Sequence, residues 1–130
     1  MNPEVLLEQV KYNADGLVTA IAQDEETNLI LMVAYMNEAT LRQTLETKTM
    51  TYWSRSRKKV WVKGESSGNT QDVLDVFIDC DGDALVFKVK QHGRAACHTG
   101  KVSCFYRKFD GEALVDVGEQ VFDPAAVYGS

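Results

Sequence analysis

Residues 79–104, DCDGDALVFKVKQHGRAACHTGKVSC, hold all three cysteines, both histidines and three alternating carboxylates of a 130-residue chain. The thiols are Cys80, Cys97 and Cys104, with sixteen and then six residues between them. Asp79, Asp81 and Asp83 interleave with the first thiol. Thiolate is a soft ligand that selects zinc, whereas carboxylate is hard and suits magnesium or calcium. Overlap of the two sets points to two different metals in one pocket. The residues alone leave plainer readings open: the cysteines as small buried hydrophobes, the aspartates as an exposed turn. The spacing matches no zinc finger or ribbon. An EF-hand is excluded, because Ala84 and Lys90 stand where that loop requires Gly and Glu.

A second constellation is cationic. Arg55, Arg57, Lys58, Lys59 and Lys63 cluster beside Trp53 and Trp61. Arginine suits two-pronged phosphate contact and tryptophan suits stacking on a purine. Taken alone, the run reads first as a solvated basic hairpin. Ser66, Ser67, Gly68 and Asn69 follow, a composition that suits an anion-cradling loop in which glycine permits close backbone approach.

The elements that must position these groups read as α+β. Asn2 caps a short helix with Pro3 at its first position, and Asn37 caps a second over residues 38–46 that buries Leu41 and Leu45. Residues 17–22 and 29–36 form a strand hairpin, the second strand apolar throughout as if buried on both faces. Further strands fall at 50–54 and 60–63. Residues 72–79 alternate, with Leu74, Val76, Ile78 and Cys80 on one face and Val73, Asp75, Phe77 and Asp79 on the other. Were that strand to run on, Asp79 and Asp81 would share a face and Cys80 would emerge opposite. Asp81-Gly82 makes a tight hairpin to a strand at 84–90, with Leu85, Phe87 and Val89 inward. A loop at 92–99, a strand at 102–108, a hairpin at Asp110-Gly111 to 113–117 and a helical turn after Asp123-Pro124 complete the expectation. Seven or eight strands and two helices favour a dominant antiparallel sheet, of a kind that can roll into a barrel, in a single domain over 1–130.

Composition narrows the class. A net charge of −5 argues against a general nucleic-acid binder, which needs a basic face to release counterions. No apolar run is long enough to cross a bilayer. The acidic start MNPEVLLEQV lacks a signal peptide's basic lead. An odd number of cysteines without an export signal predicts reduced thiols in the cytoplasm.

Three stretches together, YWSRSRKKVWVKGESSGNTQ, DCDGDA and ACHTGKVSCF, resemble the phosphoribosyl-AMP cyclohydrolase family of histidine biosynthesis. GLVTAIAQD and LMVAYMN extend the resemblance over about residues 12–108, leaving 109–130 as a hairpin and tail without assigned chemistry. The resemblance implies a buckled, barrel-like sheet with flanking short helices. It implies a homodimer with active sites at the interface, Cys80 of one subunit joining Cys97 and Cys104 of the other on zinc. Asp79, Asp81 and Asp83 match the magnesium ligands, and His98 a histidine that assists proton transfer. Trp53, Ser54, Arg55, Ser56, Arg57, Lys63, Gly64, Ser66, Ser67, Gly68 and Asn69 become candidate substrate contacts. The implied reaction is hydrolytic opening of the N1–C6 bond in the adenine ring of phosphoribosyl-AMP, giving a formimino-imidazole carboxamide ribonucleotide by attack of zinc-activated water.

The chemistry fits the residue types. Three protein ligands leave zinc a fourth position for water. Three thiolates also give the site net negative charge and weaken its pull on that water, so a general base should help; His98, beside a ligand, is the candidate. The alternative is that His98 or His92 closes the site as fourth ligand, which would make the zinc structural. Zinc deaminases use H-x-E and P-C-x-x-C signatures, absent here. A zinc-stabilised module binding RNA or a nucleotide, and a thiol redox protein, are the other classes. No C-x-x-C pair supports the last, and neither class requires the aspartate triplet.

Overall fold

In the computed structural model, residues 2–65, 67–97 and 99–121 are described, Arg94 by its backbone alone. Ser66, His98 and the expected helical turn after Asp123 lie outside the described residues.

Both asparagines start helices, as expected. Asn2 accepts the Glu4 N–H at 3.2 Å ahead of α1 (Pro3–Leu7). For α2 (Glu38–Thr47), the Asn37 side chain accepts the Thr40 N–H at 2.8 Å while the Thr40 hydroxyl accepts the Asn37 N–H at 3.0 Å. This reciprocal cap satisfies two donors that the first turn would leave orphaned. Leu41 and Leu45 are buried on its inner face.

Eight strands follow in chain order: β1 (Val18–Asp24), β2 (Ile30–Met36), β3 (Thr51–Ser54), β4 (Lys59–Val62), β5 (Gln71–Ile78), β6 (Ala84–Gln91), β7 (Arg107–Phe109) and β8 (Leu114–Asp116). Four of them form one sheet in the order β2-β1-β6-β5, while β3–β4 and β7–β8 are separate hairpins. All pairings are antiparallel except β1 with β6 at the sheet's centre. That parallel register puts Ala20 opposite Leu85 and Ala22 opposite Phe87, and all four side chains are buried with Val18 and Val89. Leu41 and Leu45 of α2 and Tyr52 of β3 complete this core. The architecture is α+β and mostly antiparallel, with flanking short helices. The sheet is open, and no strand among the described residues closes it into a barrel. No helix among them is long and apolar enough to cross a membrane.

Three local expectations need correction. The alternation over 72–79 breaks at a bulge between Val73 and Asp75. Leu74 is the extra, unpaired residue and is exposed, so Val73 joins Val76 and Ile78 against the core. That strand then stops at Ile78, and residues 79–83 are a turn with no alternating faces. β2 is not buried on both faces: it is an edge strand, with Ile30 and Val33 exposed. The strand expected at 102–108 shrinks to Arg107–Phe109, because the preceding residues bond instead to loop partners and to β2.

The sheet's second face carries an apolar stripe. Val33 lies opposite Ile21, Ile21 opposite Val86, and Val86 opposite Phe77, so one row crosses all four strands. Val33 is 41% and Phe77 55% exposed. Contiguous uncovered apolar surface of this kind marks a contact with another molecule.

Candidate metal and nucleotide site

The C-terminal end of β6 gathers two of the three thiols. After β6 the chain makes one 3-10 turn, His92–Arg94, then a loop held by Ala96 N–H to the Val102 carbonyl at 3.1 Å and Cys97 N–H to the Lys101 carbonyl at 3.2 Å. Ser103 and Cys104 anchor it to the start of β2, the Ser103 hydroxyl on the Ile30 carbonyl at 2.6 Å and the Cys104 N–H on the Leu31 carbonyl at 2.7 Å. Cys97 is buried. Cys104 as a residue reaches the surface, but its thiol is largely buried and lies near enough to the Cys97 sulfur to feel its charge. The Thr99 hydroxyl donates to that same Cys97 sulfur at 3.0 Å.

Lys63 lies within electrostatic reach of both thiols, 4% exposed, with its ammonium 5.9 Å from the Trp61 ring centre. Burial pushes the Cys104 thiol up to about 12; the neighbouring Cys97 sulfur adds to this and Lys63 opposes it. Burial likewise lowers the Lys63 amine, against the pull of Cys104 and Cys97. Without a metal, the Cys104 thiol resists becoming a thiolate. A soft cation would reverse that preference, so the donor set fits zinc.

The third thiol is elsewhere. Cys80 is exposed in the turn that precedes β6, whereas Cys97 follows its end. β6 has eight residues, which separates the two ends by about 23 Å. One chain therefore cannot bring Cys80 onto the Cys97–Cys104 pair.

Beside Cys80 the turn collects the three carboxylates, with ligand oxygens within 4.8 Å of one another. Asp79 Oδ1 accepts the N–H groups of Asp83 at 3.0 Å and Ala84 at 3.3 Å, which pulls the turn shut and points Asp81 and Asp83 towards it. Such a cluster fits a hard divalent cation. Desolvation works against the Asp79 charge, yet hydrogen bonds from Asp83, Ala84 and Asp81 outweigh it and hold its carboxyl below the usual range. Hydrogen bonding to Asp79 and Asp81, with their negative charge, raises Asp83 from 3.8 to about 6.

The raised Asp83 carboxyl has a sign for stability. Between its ordinary and its raised pKa the folded chain binds more protons than the unfolded one, so stability falls as pH rises through that window. In chelator, the Tm of Asp83→Asn is expected to fall less than that of the wild type from pH 4 to 6. Magnesium should remove the difference. Parallel curves for the two proteins in chelator would refute this.

The candidate nucleotide contacts divide between two places. At the tip of the β3–β4 hairpin, Arg55, Ser56 and Arg57 are exposed and Trp53 and Ser54 half-buried. The Arg55 guanidinium lies 4.0 Å over the Tyr35 ring. Ser54 Oγ accepts the Arg57 N–H at 3.3 Å and lies 3.5 Å from Ser56 Oγ. At the hairpin's other end, Lys63 and the loop through Gly64, Ser67, Gly68 and Asn69 sit at the thiol end of the sheet. The Gly68 N–H there closes on the Gly64 carbonyl at 2.8 Å, and Ser67 Oγ accepts the Asn69 N–H at 3.2 Å. His92 is engaged by Asp72, Nε2 to Oδ2 at 2.7 Å. Sequence reasoning missed the burial of Lys63 beside the thiols and the role of Thr99. The second had a visible signal, a hydroxyl two residues after a thiol. The first had none, since Lys63 reads as one more member of a basic run.

Known proteins resemble the chain over most of its length. The family model described as phosphoribosyl-AMP cyclohydrolase matches residues 32–106. A protein of Chlorobaculum tepidum named phosphoribosyl-AMP cyclohydrolase is 56% identical over 124 residues, covering 95% of this chain and 90% of that protein. One of the same name from Methanothermobacter thermautotrophicus is 58% identical over 119 residues, 90% and 86% of the two chains. A third, from Geobacter sulfurreducens, is 57% identical over 113 residues, 87% and 90%. Identity at this level over nearly the whole length, with the metal-type donors in the matched region, makes this chain a member of the phosphoribosyl-AMP cyclohydrolase family.

Proposed function

We propose that the chain hydrolyses the N1–C6 bond of the adenine ring of phosphoribosyl-AMP, the ring-opening step of histidine biosynthesis, as a zinc- and magnesium-dependent homodimer. One observation carries the proposal. Two neighbouring sulfurs, with a hydroxyl donor 3.0 Å from one of them, stand at one end of β6, while the third thiol and three converging carboxylates stand at the other.

A two-fold dimer resolves that separation, because it brings the far end of one copy to the near end of the other. Cys80 of one subunit would then join Cys97 and Cys104 of its partner. The apolar stripe Val33–Ile21–Val86–Phe77 supports such a contact, since it offers a self-complementary surface at mid-sheet. Bound by these thiols, zinc makes water acidic enough to act as a nucleophile near neutral pH. Lys63 offsets part of the negative charge that three thiolates bring. His98, next to Cys97 in the chain, takes up the proton as water adds at C6. Arg55 and Arg57 hold a phosphate by charge and geometry, Trp53 offers its face to the purine, and the Ser67 hydroxyl, which accepts from the Asn69 N–H, still has a proton to donate to an anion. Asp79, Asp81 and Asp83 would hold magnesium, which would supply positive charge to offset phosphate. Reduced thiols and an acidic surface suit a cytoplasmic enzyme that does not bind nucleic acid.

A spectroscopic assay with phosphoribosyl-AMP tests this. Turnover should vanish on rigorous chelation and return with zinc. Demetallated protein working at the native rate would overturn the metal mechanism. No turnover under any metal condition would overturn the activity itself.

A further inference from the structure

Behind the thiols lies a chain of polar side chains, two buried and one half-buried, that no metal or substrate role requires. The Tyr52 hydroxyl donates to Gln71 Oε1 at 2.8 Å, and Gln71 Nε2 donates to Gln91 Oε1 at 2.8 Å. Gln91 Nε2 then faces three main-chain carbonyls, of Asn69 at 3.0 Å, Thr70 at 3.2 Å and His92 at 2.8 Å. Carbonyls only accept, so they fix the orientation of the whole relay: Gln91 must turn its nitrogen to them and its oxygen to Gln71, which in turn must offer oxygen to Tyr52. Tyr52 and Gln71 are fully buried.

The three carbonyls belong to two segments. Asn69 and Thr70 end the 64–70 loop, and His92 begins the loop that carries Cys97. A backbone bond from the His92 N–H to the Thr70 carbonyl at 2.8 Å joins the same pair. Asn69 is wedged between two glycines: a Cβ at Gly64 would lie 2.3 Å from its carbonyl carbon, and one at Gly93 would lie 1.7 Å from its Oδ1. Neither glycine tolerates a side chain, and both have positive φ. An apolar pair would fill the space behind Asn69 without the demand for full hydrogen bonding that buried amides impose. The amides add a directed grip on these two loops.

We propose that Gln91 is a positioning residue whose side-chain amide fastens the 64–70 loop to the thiol-bearing loop, so that nucleotide cradle and metal ligands are held as one unit. This rests on the reading of 64–70 as part of the nucleotide's cradle. Gln91→Met keeps the side chain's length and removes both donors. Hydrogen exchange should quicken about tenfold at residues 64–70 and 92–97 and stay unchanged in β1 and α2. In the assay, KM for phosphoribosyl-AMP should rise about tenfold with kcat within about threefold and zinc content unchanged, the split expected when binding alone is lost. If Gln91→Met does not fold, Gln71→Met, which cuts the relay one step back, is read in the same way with smaller changes. A wild-type KM in the variant overturns the proposal, and so does exchange that is unchanged or that quickens equally in β1. Wild-type protein without turnover would overturn the functional reading instead, and exchange alone would then judge the clamp.

Discussion

Cys80→Ser and Cys97→Ser are each expected to be inactive and poor in zinc as pure proteins, and to recover about a quarter of wild-type activity when coexpressed in equal amounts. The arithmetic follows from a site shared across a two-fold axis. Random pairing makes half of the dimers hybrid. In each hybrid one site collects both serines and the other collects none. One site in four is then complete. Serine is a near-isosteric replacement but a hard, weakly acidic oxygen donor, so a zinc site with one serine loses affinity through the ligand and not through the fold. The geometry that motivates the experiment is the eight-residue strand between the two cysteines, a spacer too stiff to fold back on itself. A coexpressed mixture as inactive as its parents would exclude a shared site, and activity in pure Cys97→Ser would exclude that thiol from the chemistry.

His98→Asn is expected to lower kcat by about 10²- to 10⁴-fold, the usual worth of a positioned general base, while zinc content and Tm stay at wild-type values. The argument is electrostatic. Three thiolates would push charge onto a bound zinc and leave its water less acidic than a three-imidazole site would. Lys63, buried against the sulfurs, and Thr99, donating to Cys97 at 3.0 Å, return only part of that charge. A neighbouring imidazole would compensate by accepting the proton as water adds. Asparagine keeps the side chain's size and polarity but titrates nowhere near neutrality. The measurement is the pH–rate profile beside a zinc determination. An unchanged profile would remove His98 as the base, and loss of zinc would make it a ligand instead.

Much of the fold was legible residue by residue. Asn2 and Asn37 were readable as caps because capping is a contact within four residues. Leu85, Phe87 and Val89 were readable as core because alternation survives wherever a strand is regular. Leu74 was misread for the opposite reason: a bulge inserts one residue, and nothing in the local pattern distinguishes it from its neighbours. β2 was misread because an apolar run looks the same in a strand covered on both faces and in an edge strand with one face open. The Tyr52–Gln71–Gln91 relay had no sequence signal at all. Its members come from three strands and meet only once the sheet and the β3–β4 hairpin pack together.

By itself, the amino-acid order determined the donor chemistry, soft sulfur and hard carboxylate within 26 residues, along with the turns and caps that shape each element. Tertiary structure alone decided which donors can act together. Proximity in sequence became separation in space because an extended strand between Cys80 and Cys97 adds about 3.3 Å per residue, whereas Lys63 and Cys104, forty residues apart, were brought within electrostatic reach by packing. Ligand type is a property of side chains, but a binding site is a property of distances, and only the folded chain fixes those.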